Sequence, residues 1–183
     1  VNATDGAVYG CTMTALAKGR DWEELDRVFF PHSIGFFYSA LTMYLGFPYY
    51  GDEYKVMGLA PYGEPEYADF FRKVIYPKGD TFELNLDYFT HHRRGVRMTW
   101  NDGAPLVDPL HSERLEKELG PMRKKGDEMT RREDNLAKSM QVVTEEIIIH
   151  LLNRLHAKTG CPNLCLTGGV AMNSVANGKI TRE

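Results

Sequence analysis

Apolar positions along the chain fall into two periods. Residues 31–45 carry Ile34, Phe37, Tyr38, Leu41 and Leu45 at steps of three and four, which predicts a helix with one buried face. Ser33 is placed to cap its N-terminus and Gly46 to end it. Residues 65–76 read as a second amphipathic helix, with Phe70, Phe71, Val74 and Ile75 inward. A long third helix follows the capping box Thr130-Arg-Arg-Glu133; its stripe of Leu136, Met140, Val143, Ile147, Leu151 and Leu155 is widened by Ile148 and Leu152, and Gly160 closes it. A period of two marks residues 81–86, after the turn Lys78-Gly-Asp, and more loosely residues 7–16, which suggest hairpin strands. The short apolar run at 163–166 predicts a buried strand, covered by the long helix.

Other stretches lack either period. Residues 21–27 read as a charged connection, and residues 101–129, rich in proline, glycine and charge, as an irregular insertion. His91-His-Arg-Arg-Gly95 is a basic patch expected to be a solvated loop. His32, a single histidine beside a helix cap, is expected to have a polar structural role, and His150 and His156 are expected to be structural because neither has an acidic or cysteine partner at ligand spacing.

Hydrophobic content of 43% and charged content of 26% are those of a globular protein, and a net charge of −3 argues against a general nucleic-acid surface. The 3 cysteines, Cys11, Cys161 and Cys165, make no disulfide framework, which leads us to expect a reducing, cytoplasmic setting. No apolar run is long enough to predict a membrane span. The chain starts at Val1 and stops in what reads as a helix, so a fragment of a longer protein is expected.

Candidate chemistry concentrates in three places. At 163–179 an apolar run, the pair Gly168-Gly169 and a helix start from Val170 form a turn whose backbone N–H groups a phosphate can approach. It matches neither the GxxxxGK[ST] loop nor GxGxxG. Asp5-Gly6 is either a plain β-turn or an acid facing a metal–phosphate group. Gly51-Asp-Glu-Tyr-Lys-Val-Met-Gly-Leu-Ala-Pro-Tyr-Gly63 mixes acids, a lysine and turn residues as a functional loop does. If its start is helical, Asp52 and Lys55 share one side, either as a surface ion pair or with Lys55 on a phosphate and Glu53 or Asp52 on a ribose hydroxyl or a metal's water shell.

Three blocks, Pro31-His-Ser-Ile-Gly-Phe-Phe-Tyr-Ser-Ala, the loop 51–63 and Leu166-Thr-Gly-Gly-Val-Ala-Met-Asn-Ser-Val-Ala-Asn-Gly-Lys, resemble successive blocks of the nodulation-type O-carbamoyltransferases. The resemblance covers nearly the whole chain. It implies an α/β fold, part of an actin-like ATPase (ribonuclease H-like) domain with a mixed sheet and packed helices, over residues 1–183. It also implies ATP and carbamoyl phosphate as substrates, a separate C-terminal domain of the full-length chain that makes carbamoyl-adenylate, a hydroxyl acceptor, and an iron(II)-type divalent metal as Lewis acid. By matching position, Gly168 and Gly169 contact phosphate and Asn173 orients the nucleotide. Asp5 and Gly6 lie near nucleotide or metal, although Ala7-Val-Tyr-Gly10 departs from the pattern. Glu53 and Lys55 match a Gly-Glu-Tyr-Lys element, with Asp52 inserted where glycine usually precedes the glutamate.

Asp5 and Lys55 are thus the catalytic candidates, and Gly6, Glu53, Gly168, Gly169 and Asn173 the nucleotide or phosphate candidates. The metal ligands are expected outside 1–183, so the fragment alone should be inactive. Alternatives are a non-catalytic nucleotide-binding scaffold and an actin-like kinase. An uncovered sheet edge would favour self-association.

Overall fold

A computed structural model describes residues 9–101 and 103–182; Asp5 and Gly6 lie outside them. Strands β1 (Gly10–Lys18) and β2 (Asp21–Phe29) pair antiparallel across a tight turn with Gly19 at φ 65. Residues 21–27 are therefore a strand and not a connection. Backbone pairing with β1 sets the ladder, Val28 anchors it in the core, and Asp21, Glu23 and Glu24 are all exposed, where charge does not oppose a strand.

Helix α1 (Ile34–Tyr44) starts as its sequence predicts, with the Ser33 hydroxyl accepting from Phe36 N, and ends before Gly46 at φ 83. Its predicted face is buried throughout. Helix α2 (Glu53–Leu59) runs into a 3-10 turn at Ala60–Tyr62. The predicted helix over 65–76 is shorter, α3 (Ala68–Val74), and Ile75 opens β3 (Ile75–Lys78), paired with β4 (Thr81–Leu84). Pro77 pushes Tyr76 out of helical geometry, which explains the early stop.

Further along lie α4 (His91–Arg94), the hairpin β5 (Met98–Asn101) with β6 (Ala104–Val107), and α5 (Glu113–Leu119). Residues 101–129 therefore hold regular elements too short to show a period. Helix α6 (Arg131–Thr159) has the full capping box and ends at left-handed Gly160. At about 1.5 Å per residue it is roughly 44 Å long. It touches α1, α2, α3, β1, β3, β4 and the last helix, α7 (Ser174–Ile180). Leu136, Met140, Val143, Ile147 and Leu151 form its buried stripe in one core with Phe37, Leu41, Phe71 and Val74.

Two expectations about the sheet fail. Among the described residues the strands form three separate two-stranded antiparallel sheets, not one mixed sheet. The run 163–166 is not a strand and α6 does not cover it: Leu164 is 46% and Leu166 41% exposed. An apolar run becomes a strand only where a partner supplies the ladder, and no described segment does.

The basic patch at 91–95 is likewise not solvated throughout. His91 is fully buried, its ring stacked on Phe36 with centroids 4.3 Å apart and its Nε2 2.8 Å from the Pro31 carbonyl, to which it donates. His32 has the structural role expected of it, accepting from Leu84 N at 3.0 Å.

Backbone meets backbone where the loop after α2 crosses α6. A Cβ on Gly63 would sit 2.0 Å from the Asp134 carbonyl oxygen, whereas one on Gly58, within α2, would meet nothing within 4 Å. Gly63→Ala should lower unfolding free energy by about 2–4 kcal/mol, and Gly58→Ala should raise it by roughly 0.5–1 kcal/mol, as read by urea denaturation. Burial holds His91 below the usual histidine value of 6.5, so its unfolded form binds the extra proton first as pH falls. The contribution of neutral His91 is therefore intact above pH 6.5 and declines below it. Melting scans from pH 7.5 down to pH 5 should show a steeper loss for the parent than for His91→Phe, within roughly one to two pH units of that value.

Candidate active site

The glycine turn is open. Gly168 has φ +96, a conformation that favours glycine, and Gly169 does not; added Cβ atoms at either would meet nothing within 4 Å. The helix expected from Val170 is a 3-10 turn, Val170–Met172, and α7 proper begins after Asn173.

Asn173 is buried and caps α7, its Oδ1 accepting from Ala176 N at 3.0 Å. The same side chain forms a reciprocal amide pair with Gln141 of α6: Gln141 Nε2 donates to Asn173 Oδ1 at 3.1 Å and Asn173 Nδ2 donates to Gln141 Oε1 at 3.0 Å. Gln141 Oε1 also accepts from the Tyr38 hydroxyl at 2.9 Å, and its Nε2 donates to Glu145 Oε1 at 2.8 Å. Glu145 Oε2 in turn lies 3.6 Å from Lys179 Nζ. Burial, then the negative charges of Glu145 and Glu53, push the Tyr38 phenol well above its usual 10, so it stays a donor.

Glu53 reaches the same helix one residue away. Ser39 Oγ donates to Glu53 Oε1 at 2.6 Å. The second and third sequence blocks therefore meet on α1, through Ser39 and Tyr38. Lys55 takes another partner, Asp52, at 2.6 Å, with its ammonium 5.5 Å from the centre of the Phe47 ring. The hydrogen bond to Asp52 is the main cause that raises its pKa. Asp52 and Lys55 thus share one side of the turn, as their spacing predicts. No described contact joins Lys55 to the cluster around Gln141.

Sequence reasoning singled out Glu53 and Asn173 but missed the groups that join them. Gln141 and Glu145 border the apolar stripe of α6 at i and i+4, a flanking polar pair that the stripe itself obscures. Tyr38 was expected only as core, and Ser39 not at all. Among the described residues no group of three or more His, Cys, Asp or Glu is placed to hold a metal ion, and no helix is long and apolar enough to cross a membrane.

The model of the carbamoyltransferase N-terminus family matches residues 7–183. The chain is 43% identical to an uncharacterised protein of Synechocystis over 164 residues, 88% of the chain and 24% of that protein. It is 35% identical to the nodulation protein NolO of Bradyrhizobium diazoefficiens over 152 residues, 81% of the chain and 23% of that protein. With the nodulation protein NolNO of Sinorhizobium fredii it shares 34% identity over 170 residues, 92% of the chain and 22% of that protein. The chain thus spans under a quarter of the length of these curated relatives.

Replacing Gln141 by leucine would bury the Tyr38 hydroxyl, the Asn173 amide and Glu145 with partners removed. Gln141→Leu should destabilise by about 2–4 kcal/mol, against about 1 kcal/mol for Tyr38→Phe, in equilibrium unfolding.

Proposed function

The chain belongs to the carbamoyltransferase N-terminus family, and on that premise we propose that it is part of an O-carbamoyltransferase. The reading is that a carbamoyl group passes from carbamoyl-adenylate, made from carbamoyl phosphate and ATP, to a hydroxyl of a small-molecule or sugar acceptor. The acceptor oxygen forms a bond to the carbamoyl carbon, the bond to the phosphate oxygen breaks, AMP leaves with the electron pair, and the acceptor's proton passes to a base or to water. A C-terminal domain of the longer protein supplies the adenylate, and the fold extends to an actin-like ATPase (ribonuclease H-like) domain in the cytoplasm.

The observation that carries this reading is the meeting of two sequence blocks on α1, Glu53 through Ser39 and Asn173 through Gln141 and Tyr38. Gly168 and Gly169 leave backbone open for phosphate to approach. Asn173 acts on the nucleotide indirectly: its oxygen and nitrogen are engaged by Ala176 and Gln141, so its work is to hold the turn in place. Glu53 keeps a carboxylate beside the cluster for a ribose or acceptor hydroxyl. Lys55 neutralises phosphate charge by exchanging its pair with Asp52; for Asp5 and Gly6, outside the described residues, a role toward nucleotide or metal rests on the family resemblance alone. An iron(II)-type metal, when bound, would polarise the carbonyl. The described residues offer no three-ligand group for it, and no step above runs through it.

Gly169→Asp tests the reading without disturbing the turn, because its φ of −59 and open surroundings accept a side chain. Calorimetric titration should show ATP and AMP binding to the parent and a loss of about 100-fold or more in the folded variant, as a carboxylate repels phosphate at contact distance. Absence of binding in the parent, or equal binding in both, would count against the nucleotide role of the turn.

A further inference from the structure

One buried carboxylate of α6 reaches both ends of α7. Glu145 Oε1 accepts from Gln141 Nε2 at 2.8 Å, and its Oε2 lies 3.6 Å from Lys179 Nζ in the last turn of α7. Through Gln141 the same carboxylate is linked to Asn173, the residue before α7. A 3-10 turn joins Asn173 to the two glycines: the N–H groups of Ala171, Met172 and Asn173 donate to the carbonyls of Gly168, Gly169 and Val170 at 3.1, 3.1 and 3.0 Å. Whatever fixes Asn173 therefore fixes the glycine turn.

The Gln141–Asn173 amide pair needs an outside group to choose its direction. The oxygen and nitrogen of an amide are nearly equal in size, so packing accepts the pair as it stands or with both amides turned over. The Tyr38 hydroxyl can donate or accept and does not decide between them. Two other groups do. The Ala176 N–H requires the Asn173 oxygen, and the Glu145 carboxylate, which only accepts, requires the Gln141 nitrogen. Both select the observed arrangement, in which the Gln141 nitrogen donates to Asn173 and Glu145 and its oxygen accepts from Asn173 and Tyr38. Ala176 is part of α7 itself. Glu145 is the selector that belongs to α6, and so it ties the turn to the body of the fold.

We propose that Glu145 is a positioning residue for the glycine turn: its carboxylate sets the direction of the amide pair and thereby holds Gly168 and Gly169 where a phosphate meets them. The inference rests on the nucleotide reading for its last step, the meeting with phosphate. Glu145 touches no ligand itself and acts through Gln141 and Asn173.

Glu145→Gln keeps the shape of the side chain and removes the charge that only accepts. In NMR spectra of the parent, the Asn173 side-chain amide should give a single pair of signals and the Ala176 backbone amide a single signal. In Glu145→Gln these should split or broaden as both amide directions become populated, with shifts through residues 168–173, and AMP should bind about tenfold more weakly. Glu145→Asp, which keeps the acceptor, should retain the single Asn173 pair and lose less AMP affinity. Ile147→Val, which loosens the same helix through its apolar stripe alone, should leave the Asn173 and Ala176 signals single and AMP binding within about twofold of the parent. Unchanged Asn173 and Ala176 signals in Glu145→Gln, equal effects of Gln and Asp at this position, or an AMP loss that Ile147→Val reproduces would overturn the proposal. A parent that binds no AMP would refute the nucleotide reading, and the amide signals would still decide whether Glu145 sets the turn.

Discussion

A polar side chain buried on a helix must find its partner in whatever packs against it, and α6 is built on that constraint. Between its apolar positions it buries Asn135, Ser139, Gln141, Thr144 and Glu145. Thr144 turns back on its own helix, donating to the Met140 carbonyl. Others reach outward: Asn135 accepts from Glu64 N at 2.8 Å, Ser139 from Tyr67 N at 2.9 Å, and Gln141 binds Tyr38 and Asn173. A buried amide or hydroxyl left without such a partner costs about 1–3 kcal/mol, so each contact fixes a loop as firmly as an apolar side chain fills a gap. The apolar stripe supplies the driving force for packing. The polar residues decide which loop arrives at which turn.

This division explains how a site can form from residues far apart in sequence. Tyr38 and Gln141 are 103 residues apart, and Gln141 and Asn173 are 32 apart, yet one amide serves both. The glycine turn itself is held only at its far end, through Asn173, and its two glycines stay open to solvent. Held groups and an unobstructed backbone are therefore kept on separate residues, Asn173 for the first and Gly168-Gly169 for the second.

What the chain discloses in sequence follows from the range of the forces involved. Caps are local, and Ser33, Thr130 with Glu133, and Gly160 could be read directly because both partners lie within one turn. The stripe of α6 was legible because about eight turns repeat one period. Strand β2 was not, since its charges mask a ladder that depends on β1 and on two turn residues. His91 was misread because nothing adjacent to it announces the Phe36 ring and the Pro31 carbonyl that enclose it, 55 and 60 positions away by the numbering. The run at 163–166 shows the converse, an apolar pattern with no ladder partner among the described residues. Gln141 escaped notice for the same reason as His91: its importance lies in its partners, and those come from α1 and from the residue before α7.

The crossing of the loop after α2 over α6 has an evolutionary side. With a Cβ on Gly63 placed 2.0 Å from the Asp134 carbonyl oxygen, the obstacle is main chain, which every residue type at 134 would present alike. No exchange of the side chain at 134 can make room. Descent with modification can therefore reach a larger residue at 63 only by shifting one main chain against the other, which would also disturb the anchor at 135 that holds this loop. The position is locked by the architecture of its neighbours and not by any chemistry of its own.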